Sequence, residues 1–313
     1  MIQKELTDET RKDLKDYFQN RDYMVIAVPK REPARVYVVK ATGAVETARR
    51  IHGLSPGATV ALGRALIGAA LLTSLVKHAT DQKVLLKIEG NGPIGTIVAE
   101  ADGKGRVRGF VENPQVETFT KEVEGRTKFD VSRIVGSEGT LTVVKELRLG
   151  TPYTSVVPLV SGEIAQDLAY YFSQSEQIPS AVGIGVLVGE DGSVKQAGGF
   201  LVQTLGGISD KVVDLLEHRV TELPPVTQLM EEGKRPEDIA TMILDGLEPQ
   251  LIGLKEVEYY CPCDEDVAKS SLLLLTESEL NELLEEGPAE VVCKFCGRVY
   301  RFTREDLKSG KPQ

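Results

Sequence analysis

Cys261-Pro-Cys263 and Cys293-Lys-Phe-Cys296 contain all four cysteines of the 313-residue chain. A chain that holds no other thiol and gathers four within residues 261–296 is using them together. Four thiolates suit a tetrahedral zinc ion, which they approach to about 2.3 Å. The predicted metal ligands are therefore Cys261, Cys263, Cys293 and Cys296. Gly297 is placed to reverse the chain after the second pair, and residues 298–302 are predicted to leave that turn as a short strand.

The spacing of the cysteines leaves the role of this site open. A purely structural zinc site is the first alternative. A disulfide framework is less favoured, because nothing in the sequence points to secretion. The Cys261-Pro-Cys263 pair is unusual, since zinc ribbons generally carry two C-x-x-C pairs. The purpose of the metal site has to come from the rest of the chain.

Composition indicates an ordinary soluble globular protein with a sizeable core and more than one domain, at 41% hydrophobic and 27% charged residues. The N-terminus has mixed charge and no apolar core of a signal peptide. The longest apolar run, residues 58–76, carries Arg64 near its centre, so a buried helix is favoured over a membrane span. We therefore expect a cytoplasmic protein that does not associate with membranes.

Charge is distributed unevenly along the chain, whose net charge is −10. Residues 207–313 hold 23 acidic and 12 basic residues, whereas the first 206 hold 24 acidic and 25 basic residues. An acidic zinc module is a poor match for phosphate backbones, whose binding depends on clustered Lys and Arg. Nucleic-acid binding, the commonest alternative for a zinc ribbon, is therefore not expected.

The pattern of apolar residues predicts an α+β fold, with a mixed sheet and helix core, a helical linker and a small four-cysteine zinc domain. Residues 22–206 are assigned to the core domain, 207–255 to the linker and 256–313 to the zinc domain. The linker helices are short, acidic and interrupted by Pro and Gly, so they should gain stability mainly by docking. An ordinary helical connection is the alternative. Helices are predicted over 6–21, 44–51, 55–77 and 164–173, and strands over 23–28, 35–40, 83–89, 95–100, 107–112, 139–145, 181–189 and 194–205.

Signals for catalysis or cofactor binding are weak. Gly90-Asn-Gly92-Pro-Ile-Gly95 matches G-x-G-x-x-G, but β-branched residues follow it instead of a helix, so a hairpin turn is predicted and no nucleotide is expected to bind. The three histidines, His52, His78 and His218, stand in no motif. We predict no catalytic residues, no cofactor-binding residues and no enzymatic activity.

Several motifs occur together in one order along the chain. They are Asp22-Tyr23, Arg49-Arg50-Ile-His52, Ala61-Leu-Gly-Arg64, Lys87-Ile-Glu-Gly-Asn-Gly-Pro-Ile-Gly95, Asn113-Pro114, Gly139-Thr-Leu, Tyr171-Phe-Ser-Gln-Ser-Glu-Gln-Ile-Pro-Ser180, Gly198-Gly-Phe200 and the cysteine pattern. Together they resemble the 33 kDa heat-shock chaperonin family, the redox-regulated holdase chaperones of bacteria. The resemblance covers the chain from Asp22 onward. Residues 1–21 stand outside it as an N-terminal extension.

The resemblance implies a thiol switch that responds to heat and oxidative stress. In the reduced state the four cysteines would hold one zinc ion per chain and the chaperone would be inactive. Oxidation would form the disulfides Cys261–Cys263 and Cys293–Cys296 and release the metal. The zinc domain and linker would then unfold, and the protein would form a homodimer. It would hold unfolding client proteins without ATP.

Two readings from other classes compete with this one. A constitutive zinc-ribbon interaction module would keep its metal in mild peroxide. A thiol–disulfide oxidoreductase would turn over dithiol substrates, but its C-x-x-C pair usually sits at a helix N-terminus in a βαβ setting. Cys293-Lys-Phe-Cys296 lies instead between predicted strands.

Overall fold

The computed structural model describes residues 4–123, 125–147, 150–285 and 287–308. By packing, the chain divides into two compact units, residues 1–259 and residues 260–313. The prediction of an α+β fold is confirmed, since helices and mainly antiparallel sheets occur in both units.

The first unit begins with the elements of the core. They are, in chain order, β1 (Lys4–Glu5), α1 (Asp8–Phe18), β2 (Tyr23–Pro29), β3 (Ala34–Lys40), α2 (Thr42–His52), α3 (Pro56–Leu72), a 3-10 turn (Thr73–Leu75), β4 (Lys83–Gly90), β5 (Thr96–Asp102), β6 (Arg106–Val111), β7 (Thr120–Val123), β8 (Arg126–Phe129), α4 (Val131–Val135), β9 (Gly139–Glu146), β10 (Tyr153–Pro158), α5 (Ala165–Gln174), β11 (Ser180–Val188) and β12 (Val194–Thr204). Strands β7, β8 and β10 and helix α4 were not predicted from the sequence.

The remaining elements complete the first unit and build the second. They are α6 (Asp210–Glu222), α7 (Val226–Glu231), α8 (Pro236–Ile243), β13 (Pro249–Glu256) and β14 (Glu258–Tyr259), followed in the second unit by α9 (Glu265–Leu272), α10 (Glu277–Leu283), β15 (Ala289–Val292), β16 (Val299–Phe302) and α11 (Arg304–Lys308). The first unit contains two six-stranded sheets, in the orders β1-β13-β2-β3-β12-β11 and β10-β9-β4-β5-β6-β14, and the two-stranded sheet β7-β8.

Helix α3 is the central element of the first unit. It begins at the N-cap Ser55 with Pro56 in its first turn, and 15 of its 17 residues are buried. A helix that is apolar on all sides must be covered on all sides, and α3 contacts strands of both sheets. The segment Pro56–Leu75 is long and apolar enough to cross a membrane, but 83% of its most apolar window is buried inside the protein. The prediction of a buried helix is confirmed.

The charge within α3 has a local partner. Arg64 Nη1 lies 2.6 Å from Glu163 Oε2 and also donates to the Glu163 carbonyl oxygen at 3.1 Å. Leu168 packs closely on Gly68, where a Cβ would lie only 2.6 Å from Leu168 Cδ1. The sequence features that argued against a membrane span thus serve packing in the core.

The glycine-rich loop Gly90–Gly95 joins β4 and β5, which pair as an antiparallel hairpin. The prediction of a hairpin turn is confirmed. Gly92 is needed for close backbone approach, since a Cβ there would lie 2.3 Å from the Ile134 carbonyl oxygen. Gly95 has a φ of +69°, which glycine adopts without strain. The loop therefore serves the packing of the hairpin against α4.

Helices α6, α7 and α8 cover one face of the first sheet. The apolar cluster formed there contains Leu216, Val226, Leu229, Met230, Ile239, Ala240, Ile243 and Leu244 from the helices, and Val25, Val36, Val38, Phe200 and Val202 from the sheet. Short helices interrupted by Pro and Gly thus obtain their stability from docking, as the sequence indicated.

The segment predicted as a helical linker, residues 207–255, ends in a strand. Pro249–Glu256 forms β13, which pairs antiparallel with β2 and with β1. Leu251, Ile252 and Leu254 supply the apolar side chains of a strand whose two faces both meet packed elements. Because such a strand is apolar on both faces, it shows little of the alternation by which strands are recognised.

The N-terminal extension is packed against this helical layer. Thr7 caps α1 and accepts a hydrogen bond from the Thr10 amide. Phe18 is 2% exposed and stacks on Tyr23 of β2 with the ring centroids 4.0 Å apart. Arg11 Nη1 lies 3.2 Å from Asp238 Oδ1 at the start of α8. The extension therefore connects the first sheet to helix α8.

We predict that Phe18→Ala lowers the free energy of unfolding by about 3–5 kcal/mol, because it removes a buried aromatic ring and leaves a cavity. Tyr17→Ala is the matched control, since Tyr17 is 62% exposed and its loss should cost about 1 kcal/mol or less. Urea unfolding followed by circular dichroism measures both. Equal losses for the two variants would contradict the assigned packing of α1.

Candidate metal centre

The four cysteines lie in two irregular segments of the second unit. Cys261 and Cys263 lie in the segment that leads into α9, whose N-cap Asp264 accepts a hydrogen bond from the Val267 amide at 2.8 Å. Cys293 and Cys296 lie in the turn between β15 and β16. The predicted strand after Gly297 is present as β16. The fold of this unit thus brings both halves of the cysteine pattern together.

The four sulfur atoms form one cluster, all within 4.8 Å of one another. The Sγ atoms of Cys261 and Cys293 are 3.7 Å apart, and those of Cys263 and Cys296 are 3.2 Å apart. Four thiolates at about 2.3 Å from a tetrahedral metal ion lie about 3.8 Å from one another. The arrangement therefore fits a metal ion held by four sulfur ligands.

Backbone hydrogen bonds fix the turn that carries Cys293 and Cys296. The Gly297 amide donates to the Cys293 carbonyl at 2.8 Å, and the Cys293 amide donates to the Arg298 carbonyl at 2.9 Å. Gly297 has a φ of +68°, in the left-handed region that favours glycine. This geometry turns the chain back on itself and points both thiols to the same side.

The thiols differ in acidity. Burial alone would raise the pKa of Cys263, but hydrogen bonds from the Tyr300 hydroxyl, 3.2 Å away, and from the neighbouring thiols lower the pKa to about 7. Burial raises the pKa of Cys296 to about 12. Without a metal ion, Cys263 is therefore the more acidic of these two thiols. A bound cation stabilises the thiolate form of every ligand.

Comparison with known proteins decides the family. A family model described as Hsp33 protein matches residues 22–303. The chain belongs to the Hsp33 family. It is 72% identical over 309 residues to the 33 kDa chaperonin of Aquifex aeolicus, covering 98% of this chain and 95% of that protein. It is 42% identical over 288 residues to the 33 kDa chaperonin of Clostridioides difficile, covering 92% and 97% respectively.

A solved structure agrees with this assignment. The chain matches the crystal structure of the 33 kDa chaperonin of Thermotoga maritima with a TM-score of 0.82 and 43% sequence identity. The match covers 92% of this chain and 97% of that chain. The resemblance drawn from the motifs is confirmed. These Hsp33 relatives are named as chaperonins rather than as enzymes, and the chain is a member of a chaperone and heat-shock family.

The site of this Hsp33-family chain includes two residues that the sequence analysis missed. Tyr300 bonds to the Cys263 thiol, and Arg298 Nη1 donates to the Cys263 carbonyl at 3.2 Å. The signal for them was the alternation of residues 298–302, which places Arg298 and Tyr300 on one face of the chain. The histidines do not join the cluster: His52 Nε2 lies 3.1 Å from Tyr259 Oη, and His78 Nε2 lies 3.1 Å from the Leu254 carbonyl oxygen.

We predict that Gly297→Val weakens metal binding by about tenfold or more. A β-branched residue at positive φ is strained by roughly 1–2 kcal/mol, and in a metal-dependent fold that strain is subtracted from the binding energy. Gly297→Asn is the control, because Asn tolerates this conformation and should bind almost as wild type. Competitive titration with Co²⁺, followed by its thiolate charge-transfer absorbance, measures both affinities. Equal affinities for Val and Asn would show that the turn does not constrain the site.

Proposed function

We propose that this chain is a redox-regulated, ATP-independent holdase that binds unfolding proteins under oxidative stress. In the reduced, inactive state Cys261, Cys263, Cys293 and Cys296 hold one zinc ion. Oxidation forms the disulfides Cys261–Cys263 and Cys293–Cys296, the metal is released, and the chain acts as a homodimer. The observation that carries this proposal is the convergence of all four thiols, within 4.8 Å, in a unit with very little apolar core.

The second unit depends on the site for its stability. Among the residues that the structure describes, the buried apolar side chains of this unit are Ala268, Leu272, Ala289, Phe302 and Leu307. A core of five residues cannot offset the conformational entropy of ordering some fifty residues. A zinc ion supplies such a unit with on the order of 10 kcal/mol of folding free energy and keeps the ligands as thiolates. Residues 256–313, proposed as the switch domain, are therefore expected to unfold when the metal is lost.

The oxidation consumes the four ligands in two balanced steps. In each step two cysteine thiolates lose two electrons and form one sulfur–sulfur bond, while one hydrogen peroxide takes up those electrons and two protons to give two water molecules. Sulfur in a disulfide no longer carries the charge of a thiolate, so the metal ion loses its ligands.

The proposed pairing has a mechanical consequence. The short sulfur–sulfur distances, 3.7 Å for Cys261 and Cys293 and 3.2 Å for Cys263 and Cys296, lie across the two segments. The disulfides implied by the family resemblance lie within each segment instead. Disulfides between the two segments would restrain the unit from unfolding. Disulfides within each segment leave residues 261–263 and 293–296 without a disulfide between them. The pairing implied by the resemblance is therefore compatible with unfolding of the unit.

The linker supplies the apolar surface in this proposal. Residues 207–255 cover one face of the first sheet with α6, α7 and α8, and release of these helices would expose apolar side chains on both partners, including Val38, Phe200 and Leu229. Exposed apolar surface of this kind binds unfolded chains without nucleotide chemistry. The acidic surface of residues 207–313 argues against nucleic acid as a partner. A cytoplasmic location, where cysteines stay reduced until stress, suits the switch.

We predict one zinc per chain in freshly reduced protein, released on peroxide treatment together with a gain in suppression of client aggregation. A chelating dye measures the released zinc, and light scattering of a heat-unfolded client measures the activity. The variant with all four cysteines changed to serine should show no response to peroxide. Retention of zinc in peroxide-treated active protein would favour a constitutive zinc ribbon. Catalytic turnover of dithiols would favour an oxidoreductase.

A second prediction concerns the buried contact between the sheet and α8. Tyr23 Oη donates to Glu237 Oε2 at 2.6 Å, and Glu237 is 1% exposed. Burial raises the pKa of Glu237. A raised folded-state pKa means that the contribution of this group to stability is fully present below its unfolded pKa. That contribution is lost as the pH rises through the folded pKa.

We therefore expect Glu237→Gln, which keeps an acceptor for Tyr23 and cannot ionise, to be more stable than wild type at pH 7. The difference should shrink as the pH falls toward 4. Glu231→Gln, at an exposed position of α7, is the control and should follow wild type. Urea unfolding across this pH range measures the effect. A Glu237→Gln variant that is less stable than wild type at pH 7 would contradict it.

A further inference from the structure

The first unit contains a cavity of about 660 Å³ that the proposed chaperone function does not use. It lies between the 3-10 turn that follows α3 and the strands β2, β3 and β13. Cavities of roughly 300–1,000 Å³ are typical of small-molecule sites. Most of the lining is apolar, with Ile26, Val76, Ile252 and Leu254 among its residues.

Two cations line this cavity. Lys255 is 6% exposed, and its Nζ donates to Thr73 Oγ1 at 2.9 Å, which leaves two of its three donors for another acceptor. Arg35 Nη1 lies 3.4 Å from Tyr37 Oη, while its Nε is buried without a hydrogen-bond partner. Neither cation has a carboxylate within 4.0 Å in the ranges that the structure describes, and none of the described lining residues is Asp or Glu.

The charge of the cavity is not balanced by the groups around it. Burial lowers the pKa of Lys255 to about 8, so the side chain is still mostly charged at pH 7. Asp102 attracts it from a distance, but that carboxylate is bound by Arg106 Nε at 2.6 Å. Burial and Lys255 lower the pKa of His78, which adds no full charge at neutral pH. The partial negative charge at the C-terminal end of α3 offsets about half of one positive charge. A positive surplus of more than one charge remains.

Within the described ranges, a buried hydroxyl without a hydrogen-bond partner follows Thr73 in the chain. Ser74 Oγ is buried and has no hydrogen-bond partner in the described part of the chain, and Ser74 follows Thr73, the partner of Lys255. Leaving a buried hydroxyl without a partner is unfavourable. One end of the cavity thus offers the spare donors of Lys255 next to the chain segment of Ser74, and the rest offers apolar surface.

We propose that this cavity binds a small amphipathic monocarboxylate, with its carboxylate at the Lys255 and Ser74 end and its apolar body along Ile26 and Ile252. A single negative charge matches the surplus better than a phosphate dianion, because the end of α3 disfavours a second negative charge. Arg35 lines the same cavity, and its positive charge attracts the carboxylate of the ligand. Because Ile252 and Lys255 belong to β13, the ligand binds only the folded strand and raises the melting temperature.

The test measures the binding of decanoate to the reduced full-length protein by calorimetry at pH 7. We expect saturable binding with a Kd on the order of 10 µM. Decyltrimethylammonium, which has the same chain and the opposite charge, should bind at least tenfold more weakly. Absence of decanoate binding at about 1 mM, or equal affinity for the two probes, would overturn the proposal.

Variants locate the bound carboxylate. Lys255→Met should weaken decanoate binding at least tenfold, Ser74→Ala and Arg35→Met about threefold each. Arg31→Met is the control, because Arg31 is 81% exposed on the turn between β2 and β3, and it should bind as wild type. Wild-type affinity in Lys255→Met would refute this site. The comparison of the two probes on unchanged protein decides the proposal even if a variant fails to fold, and none of these outcomes depends on the redox switch.

Discussion

The pairing of β13 with β2 is the interaction that joins the distant parts of the first unit. It carries the end of the linker segment into the central sheet and gives β1 the strand with which it pairs. The same strand separates two apolar clusters, since Ile252 packs with the interior around α3 and Leu251 packs with the helical layer. The cavity with Lys255 is also built on it. One strand therefore links the N-terminal extension, the helical layer and a potential ligand site.

The two units are stabilised by different physical means. The first has a large continuous apolar cluster around α3 and a second cluster under α6, α7 and α8. The second has a few buried apolar residues and four thiols within bonding reach of one metal ion. Local stability in proteins varies between such regions. In the proposed mechanism, a chemical change at four sulfur atoms would therefore unfold one part of the chain while the core around α3 keeps its structure.

The sequence predicted much of this fold because its strongest signals are local. Helix α3 follows from an apolar run with a Ser-Pro start, and the hairpin at Gly92 follows from glycines before β-branched residues. The cysteine cluster was predictable because four thiols in a chain without others leave few arrangements. Which ion the four thiols bind remains a prediction.

Other features could not be predicted because they depend on contacts between distant segments. The two faces of β13 are both buried because Leu251 packs in the cluster under the helical layer and Ile252 packs against the other cluster. Tyr300 reaches the Cys263 thiol only after β16 has folded beside that segment. The cavity exists because side chains from residues 26 to 255 do not fill the space between them. Periodicity within one segment carries no information about such gaps.

The order of strands in the first sheet has a consequence for what an opened chain would present. If residues 207–255 left the core, β13 would go with them, and β2 would become the outermost strand of the sheet. Tyr23–Pro29 would then offer a row of unpaired amide and carbonyl groups, flanked by Val25 and Ile26, to any extended segment nearby. Backbone pairing at a sheet edge does not depend on the partner's sequence. Strand addition would therefore suit a surface that has to recognise many different unfolded chains.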